Sequence, residues 1–365
     1  MKKVILVLLA GAVLSCTAPV PGNLPREAAS EQLLEAFQTL QDSVVASFSD
    51  PTDYNRMLNL HSVMVVKDGK VVLEKWFGNF TPDKPHPMFS VSKTFTSAAV
   101  GLAIAEGKMS LKDKVADYFP DKVHPENPCD ATVEDLLMMA GGHDTDPSLS
   151  VLEFDRKSMV TSLREGVDVA DVFFSHPFVH KPGTYFVYNS LGTYLLSAIV
   201  TQVTGESVLD YLTPRLFEPL GIEKPTWDAD ANGISVGGWG LSLKTEDMAK
   251  MGLLLLQKGV WNGKRLLPEA WVEAMGARHI DCCPANLRIE NAAEITGVPD
   301  AESDWRYGYG YQTWRNKVEG YRADGAGGQF ILVLPEKNAV IVFTAWLSDA
   351  QKEMNLAWNL LYPAL

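Results

Sequence analysis

The pattern of apolar and polar positions changes period along this chain. Residues 31–48 repeat apolar positions at helical spacing and predict an amphipathic helix. Two β-rich runs follow, Ser62-Val63-Met64-Val65-Val66 and Val71-Val72-Leu73-Glu74-Lys75-Trp76, around Asp68-Gly69. Two such runs about an Asp-Gly pair predict a hairpin. A Pro-rich loop (Pro82, Pro85, Pro87) leads to a run of small apolar residues, 94–106, that is helix-compatible and ends at Gly107, a C-terminal cap. From 110 to 236 the text consists of helical patches and long loops. Helices are then predicted at 245–258 and 268–275, strands at 307–314, 330–334 and 339–344, and a last helix at about 351–361. The order is sheet, helical insert, sheet. It predicts an α/β chain of the α+β type: one antiparallel sheet built from both ends, flanked by helices, with a mainly helical lobe inserted.

Composition narrows the class. The 365 residues are 46% hydrophobic and 21% charged, ordinary for a globular chain, and the net charge of −13 argues against a nucleic-acid partner. The N-terminus reads as an export signal: Lys2 and Lys3, an apolar stretch over 4–14, then small residues. That stretch is too short to span a bilayer. Val13-Leu14-Ser15-Cys16 resembles a bacterial lipobox, with Cys16 as the lipid-attachment residue; ordinary cleavage nearby is the other reading. The expected organisation is a signal at 1–15, a Pro-containing tether at 16–30 and a hydrolase domain at 31–365. This makes the chain an exported protein of the periplasm or cell surface, with the membrane as a partner through its N-terminal lipid. Cys129 can pair with Cys282 or Cys283, or all three can remain thiols.

The candidate chemistry begins at Phe89-Ser90-Val91-Ser92-Lys93. Ser90 and Lys93 are three apart, so on a helix their side chains can meet. A desolvated lysine can take the proton of a serine nucleophile, and the spacing is that of the S-x-x-K signature. The bland alternative is a serine that caps a buried helix. A second element lies in Pro182-Gly183-Thr184-Tyr185-Phe186-Val187-Tyr188-Asn189-Ser190, followed by an apolar run that ends at Thr204-Gly205. Further pieces keep the same order: Thr132-Val133-Glu134-Asp135-Leu136-Leu137 before Gly141-Gly142-His143, and Gly237-Gly238-Trp239-Gly240 before Glu246-Asp247-Met248. Together these resemble the class C β-lactamase-like serine hydrolases, which include β-lactamases, D-Ala-D-Ala peptidases, carboxylesterases and 6-aminohexanoate-dimer hydrolases. The resemblance runs over roughly residues 61–345.

The resemblance implies a β-lactamase/transpeptidase-like fold, with Ser90 as the acylated nucleophile, Lys93 as its proton acceptor and Tyr188 sharing that role and serving the leaving group. It places Ser190, Ala323, Asp324, Gly325 and Ala326 at the substrate, with the backbone N–H groups of Ser90 and Ala326 as the oxyanion hole. No metal or organic cofactor is implied. Two departures matter. The usual Tyr-x-Asn is here Tyr188-Asn189-Ser190, as in the branch near 6-aminohexanoate-dimer hydrolases. The usual Lys-Thr-Gly or His-x-Gly is here Ala323-Asp324-Gly325, which removes the cation that meets an anionic substrate; Arg322, one place off, should point to the other face. The expected activity is hydrolysis of a small neutral or cationic ester or amide through an acyl-enzyme. A β-lactamase, a D-Ala-D-Ala peptidase, or a weakly catalytic tethered binding module are the alternatives. The oligomeric state is not readable.

Three other patterns are weaker. Gly233-Ile234-Ser235-Val236-Gly237 matches a nucleophile elbow but lacks a buried strand before it. His143, Asp144 and Asp146, and separately His176 and His180, are read as loop residues rather than metal ligands.

Overall fold

The computed structural model describes residues 23–49, 57–155, 160–282 and 302–365. The signal segment, Cys16, Cys283 and most of the loop at 277–305 lie outside the described residues. A six-stranded antiparallel sheet forms the base: β1 (Leu60–Lys67), β2 (Lys70–Trp76), β3 (Trp314–Arg315), β4 (Tyr321–Gly325), β5 (Gln329–Leu334) and β6 (Ala339–Ala345), in the order β3-β4-β5-β6-β1-β2. The pairing of β1 with β6, Met64 opposite Val342, joins the two ends of the chain. Asp68 and Gly69 both take positive φ, 51° and 78°, as a tight two-residue hairpin requires.

The sheet is buried on both faces, which explains its continuous apolar runs. Val63, Val65, Leu332 and Phe343 face helix α1 (Glu31–Ser47) and the C-terminal helix α5 (Ala350–Leu356). Met64, Val66, Ile331 and Val340 face the larger core, which includes α4 (Thr245–Leu256). There Gly252 permits close packing: a Cβ on it would stand 2.5 Å from Val340 Cγ1 and 2.7 Å from Ile331 Cγ2.

The helical lobe packs against this second face through α2 (Ser92–Ala105) and α3 (Ser190–Thr204). Most residues of α2, eleven of fourteen, are buried, so its small side chains serve close packing on several sides rather than one amphipathic face. Ahead of α1, Glu27 N donates to Val71 O and Val71 N donates to Pro25 O, so the later part of the expected tether is docked on β2. One expected strand is largely absent. Over 307–314, Gly308 and Gln312 take positive φ and only Trp314 enters the sheet, because these reversals break the extended ladder.

Candidate active site

Ser90 sits in a single 3₁₀ turn, Phe89–Val91, that runs directly into α2. Phe89 is held at φ 45°, a left-handed conformation that typically costs about 1–3 kcal/mol for a bulky residue. The surroundings over-determine it. Ser92 Oγ donates to Phe89 O at 2.6 Å, Val91 N donates to Met88 O at 3.0 Å, and the Phe89 ring packs against Trp346 at 5.7 Å.

One turn on, Lys93 is buried, with 1% of its surface exposed. Its Nζ lies 2.9 Å from Ser90 Oγ, 3.0 Å from Ser190 Oγ and 2.7 Å from Gly238 O. Gly238 O can only accept. A neutral amine can therefore give its two hydrogens to Gly238 O and Ser190 Oγ and turn its lone pair toward the Ser90 hydroxyl. Burial lowers the Lys93 pKa to about 7, against the opposing pull of the Asp146 and Asp324 charges. The amine is thus available as a base near neutrality.

Tyr188 joins the same cluster. Its ring lies 4.8 Å from Lys93 Nζ and stacks on Trp314 at 5.6 Å. Burial pushes its phenol well above the ordinary value; a hydrogen bond with Ser90 works in the opposite direction, and the Asp324 and Asp146 charges add to the rise. Tyr188 is therefore a neutral phenol in the resting site. A neutral phenol can pass a proton on, and the buried Lys93 amine beside it is a group able to accept one near neutrality.

The remaining substrate-binding candidates separate. Ser190 is buried with its hydroxyl on Lys93, so it orients the amine. Ala323 faces the core shared with Val91 and Phe95 and brings no charge to it. Arg322 and Asp324 lie on the opposite face, as strand alternation requires. Arg322 Nε donates to Asp324 Oδ2 at 2.9 Å, and its other nitrogens reach Asp304 O and Arg315 O. Asp324 thus holds a fully buried arginine rather than presenting a free carboxylate. Gly325 brings β4 against the nucleophile turn: a Cβ there would meet Met88 O at 2.4 Å and Val91 N at 3.2 Å. Ala326, exposed, begins the turn beyond it.

Three contributors were not assigned to the site from sequence. Gly238 supplies a carbonyl to Lys93, because Gly237 and Gly238 thread between α2 and α3; a Cβ on Gly238 would stand 2.6 Å from Ser190 O. The adjacent glycines were the available signal. Asp146, read as a loop residue, accepts from Ser148 N at 2.9 Å, and its charge acts on Lys93. His143 contacts Asn189, between the two site residues Tyr188 and Ser190. The elbow serine, Ser235, instead accepts from Leu209 N at 3.3 Å within the helical lobe.

The Beta-lactamase family model matches residues 60–360. The chain belongs to the Beta-lactamase family. Within this family of hydrolases, it is 29% identical over 296 residues to a 6-aminohexanoate-dimer hydrolase of Paenarthrobacter ureafaciens, covering 78% of this chain and 72% of the relative. The fold is shared with a family VIII carboxylesterase (TM-score 0.65, 16% identity, 93% of this chain and 99% of the other). It is also shared with an octameric penicillin-binding protein homologue from Pyrococcus abyssi (TM-score 0.63, 20% identity, 90% and 77%). The β-lactamase/transpeptidase-like architecture expected from the sequence is the one observed.

Proposed function

We propose that this chain is a serine hydrolase that cleaves an ester or amide through a Ser90 acyl-enzyme. The carrying observation is the buried Lys93 amine, 2.9 Å from Ser90 Oγ and anchored by Ser190 and Gly238. Ser90 Oγ attacks the carbonyl carbon while its proton passes to Lys93. The oxyanion is received by the N–H groups of Ser90 and Ala326, and loss of one such donor typically costs a hundredfold or more in rate. The proton returns through Tyr188 to the departing alcohol or amine, leaving the acyl group on Ser90. Water, deprotonated by the same pair, releases the acid.

The substrate is small and neutral or cationic. Residues 322–325 offer no free cation to an anionic donor: Ala323 packs in the core, and Arg322 is engaged with Asp324, Asp304 O and Arg315 O. The Asp146 and Asp324 charges act on Lys93, and Phe89 and Trp346 pack together beside the nucleophile turn. The similarity to a 6-aminohexanoate-dimer hydrolase makes linear amides of amino acids the second class to screen. Hydrolysis of p-nitrophenyl butyrate by wild type and Ser90→Ala is the test. Turnover lost in the variant supports the proposal, and turnover retained overturns it. Export with a lipid on Cys16 is part of the same proposal. Cys16→Ser should release the protein from the membrane fraction, and retention there refutes the anchor.

A further inference from the structure

His143 belongs to none of the steps above, yet it is 2% exposed and both ring nitrogens are engaged. Nε2 lies 3.1 Å from Phe173 O, which can only accept, so Nε2 carries the hydrogen. In a neutral ring Nδ1 is then an acceptor, and it lies 2.8 Å from Asn189 Nδ2. This orients the amide of Asn189. Its Oδ1 accepts from Leu191 N at 2.9 Å and from Gly192 N at 3.2 Å, capping α3. Each assignment is forced by a backbone group at one end of the relay or the other. The ring itself is held in place, stacked on Phe178 at 4.3 Å and edge-on to Phe173 at 4.6 Å.

Asn189 is flanked by Tyr188, which lies over the Lys93 amine, and by Ser190, whose hydroxyl accepts from it. We propose that His143 is a positioning residue that fixes Asn189, and through it Tyr188 and Ser190, in register with Lys93. The proposal rests on the hydrolase reading above. A ring that donated from Nδ1 would turn the Asn189 amide around and aim its NH₂ at the helix N–H groups. The cap would be lost and the first residue of α3 would move, with Ser190 Oγ on it. Tenfold or greater losses follow when a catalytic array shifts by a fraction of an ångström to about an ångström.

The test uses the full chain in detergent, with active sites counted by fluorophosphonate labelling, so that any misfolded fraction is excluded. His143→Phe keeps the aromatic packing and removes both polar contacts; His143→Gln can restore a donor toward Phe173 O and an acceptor toward Asn189. Per labelled site, His143→Phe should lower kcat on p-nitrophenyl butyrate about tenfold or more with KM within about twofold. His143→Gln should recover most of that loss. An unchanged kcat in His143→Phe, or equal impairment in His143→Gln, overturns the proposal. A wild type that neither labels nor turns over would instead defeat the hydrolase reading. The relay then stands or falls on the imidazole ¹⁵N signals at neutral pH: a neutral ring protonated on Nε2 supports it, and any other state refutes it.

Discussion

Between about pH 9 and about pH 5, acylation of Ser90 should fall along a one-proton curve centred near the Lys93 pKa of about 7. The direction follows from the site. Only the neutral amine can take the Ser90 proton, and the buried environment holds Lys93 below the ordinary lysine value of 10.5. At two pH units below the midpoint about 1% of the sites retain a neutral base, so the rate should fall about a hundredfold. The assay is the pseudo-first-order rate of fluorophosphonate labelling across pH, which isolates acylation from water attack. Histidine is the usual suspect for a midpoint near neutrality, but burial holds His143 and His61 at about 3. Asp146→Asn supplies the internal check. Its charge raises the Lys93 pKa, so removing it should move the midpoint to lower pH. Stability is linked with the opposite consequence for protonation. Because the folded pKa is depressed, the unfolded chain binds the proton first, and stability from this group rises as pH increases from about 7 toward 10.5. A labelling rate that is flat down to about pH 5, or one centred near the ordinary lysine value, would refute Lys93 as the base.

Two further substitutions probe the frame around this chemistry. Gly325→Ala places a methyl 2.4 Å from Met88 O, so β4 or the nucleophile turn must shift. The expected result is a roughly hundredfold lower kcat per labelled site; an unchanged kcat would show that the turn tolerates the displacement. Gly252→Ala places one 2.5 Å from Val340 Cγ1 in the α4–sheet contact. Overpacking there should destabilise by about 1–3 kcal/mol, offset by up to about 1 kcal/mol of helix propensity. A lower Tm with unchanged kcat per labelled site is expected, and a Tm equal to or above wild type refutes the packing argument.

The local text of this chain marked most of its elements and brought the Ser90–Lys93 pair to attention. Periodicity marked α1, the Asp68-Gly69 hairpin and the two C-terminal strands, because side-chain direction within one element depends only on local spacing. Ser90 and Lys93 were legible for the same reason: three residues on a helix bring the two side chains together. Tyr188 and the Gly325 turn were reached through resemblance, since nothing local ties positions so far apart. Tertiary structure alone decided the state of the site. It buried Lys93, turned Gly238 O and Ser190 Oγ toward it, and closed Arg322 onto Asp324. It also turned His143 from a loop residue into the partner of Asn189. Desolvation and hydrogen-bond direction depend on which chain segments meet in space. A one-dimensional pattern carries neither, so chemistry within one helical turn could be read in advance and chemistry between elements could not.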